Sequence, residues 1–369
     1  MDYELLSDII NIYEKEVRKN TKNKLKIYNF EKNKIQNINN IYNTISNYNN
    51  NYLCKYNIFL ITKPKYRIVI SLNIKDKVIN HYITRKVLIP KLSKYLDHRN
   101  VATRKNLGTS YGRKLLKSFI ETNKKYNTFY ILKLDISKYF YSIDHNVLKS
   151  MLYDKLNVKE YNFISNIISS TNYNYINNNI RYLKEKYKSN YPNHKNEIDK
   201  LPYYSIGKGL PIGNMTSQFL SIFYLSELDH KIIHDYKIKY YIRYMDDFIL
   251  IDKDKNKLKE VYKLLKEELL NKYKLNLNMN KCKITSSQEG FIFLGYNYKV
   301  INNKTIIKPS KDVKNRIRKR IKEINYLYKN DYISFNSYYS SINTYLSTYK
   351  SLYVKRIIKK RCFNNEFKK

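Results

Sequence analysis

Apolar and polar positions recur along this chain with two distinct periods. Apolar residues three and four apart predict helices over 1–20 (Leu5, Ile9, Ile12, Val17), 74–89 (Val78, Ile79, Tyr82, Val87), 145–155, 215–235 and 255–272 (Leu258, Val261, Leu264, Leu265, Leu269). Short apolar runs bounded by polar residues predict strands at 66–72, 129–135, 240–252, 290–300 and 304–308. The 240–252 run is broken once. Asp246 and Asp247 stand between Tyr240-Tyr241-Ile242 and Phe248-Ile249-Leu250-Ile251, which predicts a hairpin with two acids at its tip. A later helix, 311–328, places Val313, Ile317, Ile321, Ile324 and Leu327 on one face and lysines and arginines over the rest. The Asn-rich stretch 35–52 and the polar segment 171–205 are expected to be loops or insertions. The resulting order of strands, helices and hairpin is α+β, built on an antiparallel sheet.

Charge narrows the function. The 369 residues include 71 basic and 31 acidic ones, a formal charge of +40. Such an excess implies a polyanionic partner, above all nucleic acid. The 41 Tyr and 14 Phe add flat faces on which bases stack, although many must be core. No apolar run has the length of a spanning helix and no signal peptide is visible, so no membrane partner is expected. Cys54, Cys282 and Cys362 are too far apart for a zinc site or a disulfide framework, which points to a reducing cytoplasm. The six histidines show no metal-ligand spacing. Glycine is scarce, and its seven positions cluster at 108–112, 207–213 and 290–295. Each cluster marks a backbone that turns with positive φ or approaches something closely.

The chemistry lies in the acids. Two like charges at a tight turn repel each other, and a hard divalent cation relieves that repulsion with oxygen ligands. Taken singly, Asp246-Asp247 also reads as a solvated turn, and Asp135, at the end of a buried strand, as a helix cap. Placed on a neighbouring strand, Asp135 completes a three-carboxylate cluster able to hold two Mg²⁺ for nucleotidyl transfer. A third element, Lys208-Gly-Leu-Pro-Ile-Gly-Asn-Met-Thr-Ser-Gln218, is a Gly/Pro turn running into an apolar helix. A helix N-terminus after such a turn suits a phosphate.

Together these segments resemble the reverse transcriptases. Ile131-Leu-Lys-Leu-Asp-Ile-Ser-Lys-Tyr-Phe140 resembles their motif A, Gly209–Gln218 motif B and Tyr244-Met-Asp-Asp247 motif C. Lys281, with Glu289-Gly290 and Phe293-Leu-Gly-Tyr296, resembles motifs D and E. Arg67, Lys75-Asp76 and Arg104-Lys105-Asn-Leu-Gly108-Thr109 resemble fingers motifs. The resemblance implies a right-hand polymerase fold, with an N-terminal helix and fingers over 1–125, a palm over 126–298 with an insertion near 156–205, and a basic helical thumb over 299–369.

It also implies roles. Asp135, Ile136, Asp246 and Asp247 would form the site for two Mg²⁺, or Mn²⁺ in their place. Arg67, Lys75, Phe140, Ile212, Gly213, Ser217 and Gln218 would face the incoming nucleotide, with Phe140 as a gate against the 2′-hydroxyl. Lys281 would protonate pyrophosphate. Arg104, Lys105, Tyr244, Met245, Phe293, Leu294, Gly295, Tyr296, Arg316 and Arg320 would contact primer and template. Partners would be RNA template, primer, dNTPs and cDNA product, with a small basic accessory protein oligomer.

Motif B sharpens the resemblance. Where many of these enzymes carry Gln-Gly and Ser-Pro, this chain has Ile212-Gly213 and Ser217-Gln218, similar to diversity-generating retroelement enzymes. That similarity implies a bacterial or phage enzyme, error-prone at template adenines because an aliphatic side chain replaces a polar contact near the base. Departures are Asn106-Leu107 in the fingers loop and Ser347 in place of a glycine. Alternatives are a phage-defence or other domesticated reverse transcriptase and, from another class, a non-catalytic RNA-binding protein.

Overall fold

The computed structural model describes residues 2–49, 52–62 and 65–348, together with Lys355, Arg356 and Ile358. Cys362 and most of the tail lie outside the described residues. The chain divides into two compact units: residues 1–112, 132–250 and 256–283 form the first, and residues 113–131, 251–255 and 284–369 the second.

Among the described residues nine strands build three sheets: β1 (Tyr56–Ile61), β2 (Arg67–Leu72), β3 (Tyr130–Asp135), β4 (Tyr240–Tyr244), β5 (Asp247–Asp252), β6 (Lys283–Ser286), β7 (Phe291–Phe293), β8 (Tyr296–Ile301) and β9 (Lys304–Pro309). β1 and β2 pair antiparallel, Tyr56 opposite Leu72. The central sheet has the order β4-β5-β3-β6, so the strand ending in Asp135 lies directly beside the strand that begins with Asp247. Phe248, Ile249, Leu250 and Ile251 are buried along β5, as are Ile131, Leu132 and Leu134 along β3. Strands covered on both faces read as continuous apolar runs, which is why these two are plain in the sequence.

The predicted helices at the start, at 74–89, 145–155, 255–272 and 311–328 are present, the first and second continuing through π-helical turns at Tyr13–Arg18 and Ile83–Leu88. The 215–235 helix is two helices, Met215–Phe223 and Ser226–His234. Two expectations are overturned. Residues Lys34–Ser46 form a helix with Ile38, Ile41 and Ile45 buried, not a polar loop. The polar 171–205 segment contains the helix Asn174–Asn190, which buries Ile176, Ile180 and Lys184. In both, a sparse apolar stripe survives among asparagines, and burying that stripe outweighs their weak helix propensity.

In the second unit β7, β8 and β9 form an antiparallel meander. The β7–β8 turn is Leu294-Gly295, with φ of +46° and +81°. Positive φ at both central residues is the type I′ pattern that matches strand twist. The following helix, Lys311–Lys329, packs Val313, Ile317, Ile321 and Ile324 against Tyr338 and Ile342 of the helix Phe335–Thr348.

The packed 174–190 helix gives a direct test. Ile176→Ala and Ile180→Ala should each lower stability by about 2–5 kcal/mol and expose residues 174–205 to limited proteolysis. Unchanged urea midpoints and cleavage would restore the loop reading.

Candidate active site

The β4–β5 hairpin closes through a two-residue loop, Met245-Asp246. Met245 has φ +57°, an uncommon conformation for a residue with a side chain. What holds it there is a buried ion pair. Arg243 and Asp229 are both wholly buried. Nε and Nη2 of Arg243 donate to the two oxygens of Asp229 at 2.7 and 2.5 Å. Nη1 of Arg243 donates to the Met245 carbonyl at 3.2 Å, and Nη2 also reaches the Ile222 carbonyl at 2.9 Å. Tyr241 donates its hydroxyl to Asp229 at 2.5 Å. Burial alone pushes the Arg243 guanidinium down, but Asp229 more than reverses this, so it stays charged. Sequence reasoning passed over both residues. The available signal was an arginine inside an otherwise apolar strand, whose neighbours Tyr241 and Ile242 are wholly buried.

The backbone then registers the acids. The Ile136 N–H donates to the Asp246 carbonyl at 3.2 Å, and the Asn278 N–H to the Asp135 carbonyl at 2.8 Å. Three carboxylates thereby act on one another. Burial, then the neighbouring Asp135 charge, raise the Asp246 carboxyl, while Lys281 and Arg67 pull it back. Asp247 is pushed up to about 6, first by burial and then by Asp246 and Asp135, against the pull of Lys133. Its Oδ1 is buried and no hydrogen bond settles it; Lys133 Nζ stands 3.4 Å away. Lys281 Nζ binds both oxygens of Asp135, at 3.0 and 2.9 Å.

Among the described residues no three His, Cys, Asp or Glu side chains are gathered as a ready metal shell. The donors nevertheless have the chemistry a hard divalent cation takes: carboxylate oxygens, mutually repelling, with an ammonium group now held on Asp135. Lys281 thus pairs with Asp135 in this structure.

Motif B is stitched in from two sides. Gly209 and Leu210 donate their N–H groups to the carbonyls of Ile143 and Phe140, both at 2.7 Å, and the Ile70 N–H donates to the Ile212 carbonyl at 3.0 Å. Gly213 has φ +126°, and a Cβ there would come within 2.9 Å of the Ile70 carbonyl. The loop therefore joins the Phe140 turn to β2, whose first residue, Arg67, is exposed and acts on Asp246. Phe140 and Ile212 are half-buried, and Gly213 and Gln218 are exposed.

Other expected positions stand differently. Ser217 is 2% exposed, so its hydroxyl faces the interior. Lys75 lines a separate groove with Lys26, Lys55, Asn57 and Asp76. Arg104 donates to the carbonyls of Asp97, Asn100 and Leu96, so it braces a loop and is not turned toward a template. Lys105 is exposed, and Tyr244 is half-buried. In the second unit Phe293 is wholly buried, and Tyr296 lies under the Arg113 guanidinium, 4.9 Å from the ring centre. Arg316 and Arg320 are exposed on the Lys311–Lys329 helix beside its apolar stripe, with Arg320 paired to Glu323.

The family described as "Reverse transcriptase (RNA-dependent DNA polymerase)" matches residues 55–298, more than half of the chain. The chain belongs to the reverse transcriptase family. A stretch of 124 residues of this reverse transcriptase is 31% identical to the Gag-Pro-Pol polyprotein of Mason-Pfizer monkey virus, taking in 32% of this chain and 7% of the polyprotein. Apo telomerase from Candida tropicalis, truncated from its C-terminal domain, aligns with a TM-score of 0.47 and 17% identity, over 69% of this chain and 55% of that one. Telomerase from Candida albicans in complex with a TWJ fragment of telomeric RNA aligns with a TM-score of 0.45 and 14% identity, over 74% and 51%. The chain spans about half the length of these telomerase chains and a small part of the polyprotein. The fold is the α+β right-hand polymerase fold of the family.

Two measurements check this account. Arg243→Met or Asp229→Leu alone strands a buried charge and should cost about 3–5 kcal/mol, whereas the double variant should recover much of that. Additive losses would show that the pair does not hold the turn. The raised Asp247 carboxyl also sets a pH dependence. A folded-state pKa above the unfolded value means the native state binds the extra proton between about pH 4 and 6. Wild-type stability should therefore improve by roughly 2–3 kcal/mol relative to Asp247→Asn as pH falls from 7 through 6 toward 4. A pH-independent difference would place Asp247 in water.

Proposed function

We propose that this chain is an RNA-directed DNA polymerase that copies an RNA template into cDNA by two-metal nucleotidyl transfer. The observation that carries the reading is the meeting of the buried Asp135 with the half-buried Asp246-Asp247 at the neighbouring hairpin turn, where the three carboxylates repel one another. Asp135 and Asp246 would hold the divalent ions, with Asp247 and Ile136 beside them. Mg²⁺ when bound supplies activation of the primer 3′-hydroxyl and neutralises the departing pyrophosphate. Arg67, already close enough to act on Asp246, would neutralise the nucleotide's phosphates. Gly213, where a Cβ would meet the Ile70 carbonyl, lets the Ile212 loop pack closely on β2 and so sets Ile212 beside the strand that begins with Arg67. Lys281, once released from Asp135, would stand ready to give its proton to the leaving pyrophosphate.

Asp246→Asn should lower Mg²⁺-dependent dNTP incorporation on a primed RNA template by at least about a thousandfold while RNA binding stays within about twofold. Near-normal incorporation would sink the mechanism. Incorporation lost together with binding would point to a folding defect, which Asp135→Asn would then resolve.

The finer reading is the diversity-generating type, supported by Leu210-Pro-Ile-Gly-Asn-Met-Thr-Ser-Gln218 and by the half-buried Ile212 on the loop between Phe140 and β2. A small basic accessory protein would complete the assembly. Ile212→Gln should reduce misincorporation opposite template adenines several-fold more than opposite other bases. An unchanged error spectrum would overturn the assignment.

A further inference from the structure

The first unit carries a second basic feature that the carboxylate site does not use. A cavity of about 1000 Å³ is walled by three segments: the turn Lys138–Ser142, residues 199–208, and residues 274–280. None of Asp135, Asp246 or Asp247 lines it. Its walls are nonetheless tied to the strand that carries Asp135. The Ser137 N–H donates to the Asn276 carbonyl at 2.8 Å, and the Asn278 N–H to the Asp135 carbonyl at 2.8 Å.

We propose that this groove binds a single-stranded RNA segment. Lys138, Lys200, Lys208 and Lys274 line it, and no ion pair holds any of them among the described residues. The single carboxylate in the lining, Asp199, is already neutralised by Lys188 at 3.0 Å. Uncompensated positive charge calls for an anion, and four lysines spread over three separate wall segments match a phosphodiester chain better than a point charge. The lining also holds base-sized faces and edges. Tyr203 is 43% exposed, and Asn276, Asn278 and Asn280 face the same cavity. Stacking on tyrosine beside a basic track is the pattern of single-strand recognition. The volume lies at the upper end of small-ligand pockets, about 300–1,000 Å³, and the cavity is open to solvent, so it is roomy for a lone triphosphate.

The groove is built, not incidental. Lys184, only 3% exposed, gives its ammonium to the carbonyls of Asp199 and Leu201 and lies 4.0 Å from the centre of the Tyr203 ring. A buried lysine thus fixes the 199–203 wall from beneath. Burial lowers its proton affinity, Asp199 partly restores it, and Lys188 and Lys138 lower it further. Lys138 and Lys274 hold left-handed backbone, φ +48° and +53°, which turns the two walls sharply at the groove.

The binding measurement needs no nucleotide and no catalysis, so its failure is distinguishable from failure of the polymerase assignment. A fluorescent 20-nucleotide single-stranded RNA containing 4-thiouridine is titrated with wild-type protein and with the Lys200→Glu/Lys274→Glu variant across a salt series. Affinity should fall about tenfold, the slope of log K against log salt should flatten by about 1.4 for two lost phosphate contacts, and the photo-cross-link to Tyr203 should disappear. If the reversed pair fails to fold, Lys200→Gln/Lys274→Gln gives the same reading with smaller changes. Unchanged affinity and cross-linking overturn the proposal. So does unchanged RNA binding with a raised dNTP KM or weakened pyrophosphate inhibition, which would make the groove a passage for small polyphosphates.

Discussion

The ion pair between Arg243 and Asp229 is the constraint on which the acid-bearing turn depends. A buried pair is costly to desolvate, and a hydrophobic replacement is often as stable. Here the pair does more than neutralise itself. The helix Met215–Phe223 stops short, leaving its last carbonyls without helical partners. Arg243 and Asn100 take up the Ile222 carbonyl, and Tyr139 takes up that of Ser221 at 2.5 Å. The same guanidinium holds Met245 in its left-handed conformation. One cation thereby joins the end of the motif B helix, the start of the next helix and the tip of the hairpin.

That arrangement explains why the site tolerates like charges so close together. Asp246 and Asp247 cannot relax apart without moving a turn whose carbonyl is fixed from the core. Asp135 cannot withdraw either, because its own carbonyl and the next N–H are both engaged. The repulsion is held in place by hydrogen bonds remote from the carboxylates themselves, the kind of strain that surrounding structure must over-determine.

Much of this was legible in the sequence, and what was not has physical reasons. The hairpin, the β3 strand and Asp135 were readable because doubly covered strands leave continuous apolar runs that acids interrupt. Motif B was readable through glycine, which this chain uses only sparingly. The 34–46 and 174–190 helices were hidden because Ile38, Ile41 and Ile45, or Ile176 and Ile180, are diluted by asparagine, and because Lys184 occupies a core position. Arg243 and Asp229 were hidden for a related reason: a charge satisfied entirely inside the protein looks, in one dimension, like a surface residue out of place. Arg104 and Ser217 show the converse limit, since residue type alone does not reveal that this guanidinium braces loop carbonyls or that this hydroxyl is buried.

Lys281 on Asp135 and Lys133 beside Asp247 give the carboxylates a resident set of counter-ions. The polypeptide can complete its sheet during synthesis without waiting for a metal, because neutralisation is supplied by its own chain. A divalent ion entering between these acids would have to displace the Lys281 ammonium from Asp135, so under the proposed function loading would be an exchange of one cation for another at a site that is already folded.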